Sequence, residues 1–219
     1  SLTRLVLTNA IYFNAAWQFP FNKSATSDGT FHLLDGTEVT VPMMKKTETY
    51  GYTQGDGYQA VELLYDGREL SMVILLPDAG AFENFESSLS AGQVDAVLND
   101  LSYREVALTL PKFEVESDFS LAQALAAMGM PDAFGSADFS GMNGSRDLFI
   151  GDVFHKAFVA VDEEGTEAAA ATAVIIVEKE GSKAPKVILM KLDHPFLFLI
   201  RDWRTGTVLF VGRVLNPKA

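Results

Sequence analysis

Cysteine is missing from this sequence altogether, which excludes a disulfide framework, a thiol nucleophile and a cysteine-based zinc site. The compartment is left open, because secreted proteins need not carry disulfides. No run of about 18 apolar residues occurs, so no membrane-spanning helix is expected. Positive charge is scarce: 17 Lys and Arg face 29 Asp and Glu, for a formal net charge of −12. Such a chain repels phosphate backbones and anionic surfaces, so nucleic acid, membrane and heparin-like polymers are excluded as default partners. Histidine is limited to three residues and there is no Gly-x-Ser-x-Gly elbow, so nothing points to a hydrolytic enzyme. His32 and His194 read as structural, Asp28 with His32 is too sparse for a metal site, and no cofactor is called for. An export signal is also lacking, since Ser1–Leu7 leads at once into a strand-like pattern and the chain reads as starting in mid-fold.

What is present suits a folded domain. Hydrophobic residues make up 48% and charged residues 21% of the 219 positions, and sixteen Phe supply bulk for a core. Arg4–Phe13 is β-branched and aromatic with almost no charge, the pattern of a strand buried on both faces. A second strand is expected at Gly29–Leu33, with Asp35-Gly36 turning the chain towards Val39–Val41. Tyr58–Tyr65 and Leu70–Leu76 form a hairpin across Asp66-Gly67. Residues 81–98 carry Phe82, Phe85, Leu89, Val94 and Val97 at mostly helical spacing, for one or two short helices. Val106–Phe113 alternates as a strand, and Leu121–Met128 reads as a helix with Ser120 at its N-cap and Gly129 as its stop. Leu148–Val161 is a long strand, and Phe196–Ile200 with Val208–Val214 closes the chain as a hairpin. Many antiparallel strands with few helices give an α+β fold with at least two sheets.

Residues 162–185 do not fit that scheme. The stretch is too long for an ordinary connection, yet Ala168–Val177 contains one polar residue, Thr172, where a linker would be polar. An amphipathic helix would suit the alanines. Val174-Ile175-Ile176-Val177, however, is a poor helix run and a strong strand run. Alternate residues Thr166, Ala168, Ala170, Thr172, Val174 and Ile176 make one uncharged, mostly small face, with Gly165 as a pivot in front of it. Ordering a residue costs roughly 1–2 kcal/mol, and a new backbone hydrogen bond returns a net of about 0.5–1.5 kcal/mol. Burying Val174, Ile176 and the Ala methyls at about 25 cal/mol per Å² then tips the balance towards joining a sheet. The segment is a spare strand.

Several segments, in order, resemble the serpin family. They are Leu7–Trp17, Phe19-Pro20-Phe21, Val41-Pro42-Met43-Met44-Lys45, Leu110-Pro111-Lys112-Phe113, Gly135–Gly141, His155–Val159, Asp162–Ala170, Asp193–Phe198 and Val211–Pro217. The resemblance covers essentially the whole chain. It implies a serpin-like α+β fold with several sheets, a large central mixed sheet and an exposed reactive loop at about 163–185. Residues 1–219 would then be the C-terminal part of one serpin domain, with the N-terminal helical part absent.

The function implied is inhibition of a serine protease, trypsin-like, by suicide: the protease cuts the loop, is held as an acyl-enzyme, and the freed loop inserts into the central sheet. The family's spacing puts the cut between Lys179 and Glu180, with Glu178 and Lys183 as alternatives and a merely solvated Lys179 as the bland one. The hinge would be Glu163, Glu164, Gly165, Thr166, Glu167, Ala168, Ala169, Ala170 and Ala171. Where the loop first joins the sheet, the resemblance implies a Glu163–Lys112 pair near Trp17. It implies a latch of Asn9 and His155 across the sheet's centre, against the plainer reading of His155 as a core histidine. An extracellular site is implied by the family alone. The alternative is a non-inhibitory serpin serving as carrier, storage protein or chaperone, or a piece inactive by itself; the small hinge residues favour inhibition.

Overall fold

A computed structural model of the chain describes residues 5–166 and 187–218. In chain order its strands are β1 (Leu5–Tyr12), β2 (Ala15–Ala16), β3 (Ser27–His32), β4 (Glu38–Gly55), β5 (Tyr58–Leu64), β6 (Leu70–Pro77) and β7 (Ser102–Pro111). There follow β8 (Phe113–Ser120), β9 (Ile150–Val161), β10 (Gly165–Thr166), β11 (Ile188–Lys191), β12 (Phe196–Asp202) and β13 (Val208–Val214). The helices are α1 (Phe82–Ser88), α2 (Ala91–Asp100), α3 (Ala122–Ala127) and α4 (Ser140–Asn143). Among the described residues no helix is long and apolar enough to cross a membrane. The chain divides into two compact units, residues 1–13 with 115–159, and residues 14–114 with 160–219.

In the first unit, β1 and β8 both pair with β9, and β1 runs parallel to it from Leu5 opposite Ile150 to Tyr12 opposite Phe158. The expectation of a doubly buried strand at β1 is corrected here. Among the described residues Val6 is 44% and Tyr12 56% exposed. Pairing satisfies one edge of a strand's backbone, but burial needs a packed layer over its faces, and the described residues of this unit supply none that covers β1. The Ser120 cap is shifted by one position: Leu121 is the N-cap of α3 and makes no side-chain cap bond, while the Ser120 hydroxyl donates to the Asp152 carboxylate and accepts from Ala122 N at 3.4 Å.

The second unit holds an eight-stranded sheet in the order β11-β7-β4-β5-β6-β12-β13, with β3 also paired to β4. Strand β4 is much longer than the expected Val39–Val41. It pairs in succession with β3, β7 and β5, and its polar run Lys45–Thr49 alternates exposed with half-buried residues between the buried Met43, Met44 and Tyr50. At the Asp35-Gly36 turn Gly36 has φ 80, a conformation that glycine adopts without strain.

Strand β12 is buried on both faces. Leu197 and Leu199 join Ala60, Val73 and Leu75 under Phe82 of α1 and Val97 of α2. On the other face Phe196 meets Phe31 and Phe113 edge-on, with ring centroids 6.5 and 5.6 Å apart. Each such side chain contributes about 1.5–3 kcal/mol on burial. This core is the rigid platform on which the site stands.

Candidate functional site: the hinge anchor and the strand pair

In the second unit the chain leaves β9 at Val161 and reverses at once. The Asp162 carboxylate accepts hydrogen bonds from the backbone N–H groups of Glu164 (2.8 Å) and Gly165 (3.2 Å), and Asp162 N donates to Gly165 O (2.9 Å). Aspartate is suited to such a turn because its short side chain reaches its own following backbone. β10 then pairs antiparallel with β2, Gly165 opposite Ala16 and Thr166 opposite Ala15, while Thr166 also pairs with Val161. Gly165 sits at φ 156, and a Cβ there would lie 2.3 Å from Ala15 O and 2.7 Å from Ala16 Cα. The position therefore excludes any side chain, a reason for glycine stronger than the freedom of a pivot.

Trp17 gathers the turn. Its backbone N–H donates to Glu164 O (2.9 Å) and its indole Nε1–H to Asp162 O (3.0 Å). Its ring stacks on Tyr65 at 4.6 Å, and the Tyr65 hydroxyl lies 2.8 Å from Thr166 Oγ1 in a fully enclosed position. Burial pushes the Tyr65 hydroxyl pKa well up, with the Thr166 bond opposing, so the group stays neutral and free to hydrogen-bond.

Glu163 is 4% exposed and its carboxylate is divided between two donors. Lys112 Nζ reaches Oε2 at 2.8 Å and Thr26 Oγ1 donates to Oε1 at 2.8 Å, while Phe21 N donates to the Glu163 carbonyl at 2.8 Å. Burial by itself would raise the carboxyl pKa, but the bonds from Lys112 and Thr26 outweigh it and hold the group below the usual carboxylate range. Lys23 Nζ pairs with Glu164 Oε1 at 2.6 Å on the outside.

In the first unit Asn9 and His155 are direct partners in the β1–β9 register, and their side chains meet at 3.0 Å between Oδ1 and Nδ1. Because Oδ1 only accepts, the imidazole donates from Nδ1. His155 is half-buried rather than enclosed, with its ring 5.5 Å from that of Phe119. His32 lies 3.3 Å from Glu38 and His194 bonds Pro77 O and Asp193. The described residues hold no group of three or more metal-ligating side chains. Glu167, Ala168, Ala169, Ala170, Ala171, Glu178, Lys179, Glu180 and Lys183 lie outside the described residues.

A family model described as serpin (serine protease inhibitor) matches residues 1–217. The chain belongs to the serpin family. An uncharacterised serpin-like protein of Thermococcus kodakarensis is 47% identical over 99% of this chain and 51% of its own length. The leukocyte elastase inhibitor of Homo sapiens is 42% identical over 99% of this chain and 59% of its own length. The crystal structure of Serpin48, a highly specific serpin of the insect Tenebrio molitor, superimposes with a TM-score of 0.84 at 33% identity, covering 98% of this chain and 57% of that one. The chain thus spans about half the length of the curated relatives it matches. The fold is serpin-like, with mixed multi-stranded sheets and a few helices, and the family includes inhibitors of proteases.

In this serpin the structure brings Glu163, Lys112 and Trp17 together, and Asn9 with His155. Sequence reasoning missed Thr26, Tyr65 and Lys23, and it named Asp162 at the head of the hinge segment without its part in the turn. An Asp just before a Gly-containing reversal is a turn former. Thr26 and Tyr65 carried none, because their partners lie 137 and 101 positions away along the chain.

Proposed function

We propose that these residues form the C-terminal part of a serpin domain and that the whole protein inhibits a trypsin-like serine protease as a suicide substrate. The protease's serine attacks the Lys179 carbonyl, the acyl bond forms, and the amine of Glu180 leaves. The freed segment beyond Thr166 then continues as a strand of the sheet that β10 already enters. The observation that carries this reading is the position of Gly165–Thr166, paired on one side to Ala15–Ala16 and on the other to Val161. Extension needs only that small, uncharged side chains follow, and Ala168, Ala170 and Thr172 are such residues. Glu163 and Trp17 are the fixed point from which the strand grows, and Asn9 with His155 is the latch that must part for it.

The test mixes the whole protein with trypsin and follows SDS-stable complex on a gel, with mass spectrometry of the released peptide. A stable complex and a peptide beginning at Glu180 are expected. Thr166→Arg forces a charge into an enclosed site, and should yield cleavage without complex. Cleavage without complex in the unmodified protein would refute inhibition and favour a carrier role.

A further inference from the structure

Beside Trp17, within the second unit, lies a small cleft, open to solvent, with about 20 Å³ of free space, room for one small head group. Its walls are aromatic, with Trp17, Phe19, Tyr50 and Tyr103, and they also include Gly51 and Glu62. Glu62 is 8% exposed. Its Oε1 is fully engaged, accepting from Arg201 Nη2 (2.6 Å), Arg201 Nε (3.2 Å) and Ser71 Oγ (2.7 Å). Its Oε2 makes no hydrogen bond to any described residue, yet it is not among the solvent-sealed atoms. A Cβ on Gly51 would lie 3.2 Å from that Oε2, so the glycine leaves the approach to it open. The Tyr50 hydroxyl is buried without a partner among the described residues. The other nearby cation is occupied: Lys46 sits over the Phe19 ring at 5.2 Å, donates to Pro20 O and faces Glu48 at 3.8 Å.

We infer that this cleft binds the head of a primary alkylammonium compound. A carboxylate oxygen with no protein donor, set among aromatic faces, is matched by a group that carries N–H donors and positive charge but no acceptor. Ring faces attract the cation, Glu62 Oε2 is the acceptor the site offers, and the net charge of −12 draws cations towards the surface. Free space of about 20 Å³ suits a single –CH₂–NH₃⁺ head and is too small for a quaternary ammonium. The inference is independent of the inhibitory reading.

The test titrates n-butylammonium chloride into the whole protein labelled with 5-fluorotryptophan, at constant ionic strength, following the Trp17 resonance assigned through Trp17→Phe. A saturable shift is expected for butylammonium and none for butanol or tetramethylammonium. Gly51→Ala, which sets a methyl against Oε2 and Cβ of Glu62 but leaves the Glu62 charge in place, should weaken binding by about tenfold. Glu62→Gln should do the same, and where that variant loses its fold the Gly51→Ala result decides. Equal shifts with butanol, a response to ionic strength alone, or unchanged binding in Gly51→Ala would each overturn the assignment.

Discussion

The same two lengths of chain are treated differently in the two units. In the first, β1 and β9 pair directly over eight residues, and their side chains are largely open: the Asn9–His155 bond stands at a partly exposed site. In the second, the residues that follow β1 and the last residue of β9 do not pair with each other; Gly165–Thr166 lies between Ala15–Ala16 and Val161. Here the central side chains are enclosed, with Trp17 at 3%, Tyr65 at 1%, Glu163 at 4% and Thr166 at 0% exposure. A single hydrogen bond at an exposed site is worth little, because water replaces it on opening. Buried polar groups that satisfy one another are costly to part, because each is left without a partner. Of the two, the anchor is the costlier to part.

The largest effect is expected at Glu163. Glu163→Lys replaces an enclosed carboxylate with a second cation beside Lys112 and should cost roughly 4 kcal/mol, read as a fall in the denaturation midpoint. Gly165→Ala comes next, at about 3 kcal/mol, because the added methyl meets the backbone of Ala15 and Ala16, which cannot swing aside as a side chain would. The check is amide hydrogen exchange at Trp17, whose N–H to Glu164 should lose protection. Tyr65→Phe keeps the ring stack but strands the Thr166 hydroxyl, at about 1–2 kcal/mol by chemical denaturation.

Asn9→Ala should lower stability by under about 1 kcal/mol. If Asn9→Ala proved as damaging as Glu163→Lys, the contrast between an enclosed anchor and an open pair would collapse. Acid sharpens the same contrast. The folded Glu163 pKa is depressed, so its contribution is fully present above the unfolded value of about 4.3 and is lost as pH falls through the lower folded value. Exchange protection at Phe21 N, which donates to Glu163 O, should therefore fall below about pH 4 before the β12 core opens. Simultaneous loss at both would show that the anchor is not a separate unit of stability.

How much of this was legible varies with the reach of each signal. The hairpins at Asp35-Gly36 and Asp66-Gly67 and the helices after residue 81 rest on neighbouring residues, and they stand in the structure close to where the pattern puts them. Strand β4 was underestimated because Pro42 and the charges Lys45, Lys46 and Glu48 resemble the end of a strand, whereas three successive partners keep it extended. β1 carried every mark of a buried strand, yet its exposure depends on what packs over it, and no local pattern records that.

Periodicity and turn residues were enough, unaided, to establish a sheet-rich α+β chain, since each of these properties acts over a few residues. Only tertiary structure could decide that Glu163 shares its charge between Lys112 and Thr26, that Gly165 must lack a Cβ because the backbone at Ala15 lies against it, and that Tyr65 closes over Thr166. Those contacts join residues more than fifty positions apart, and an interaction across such a span is set by how the sheets stack rather than by the order of residues along the chain.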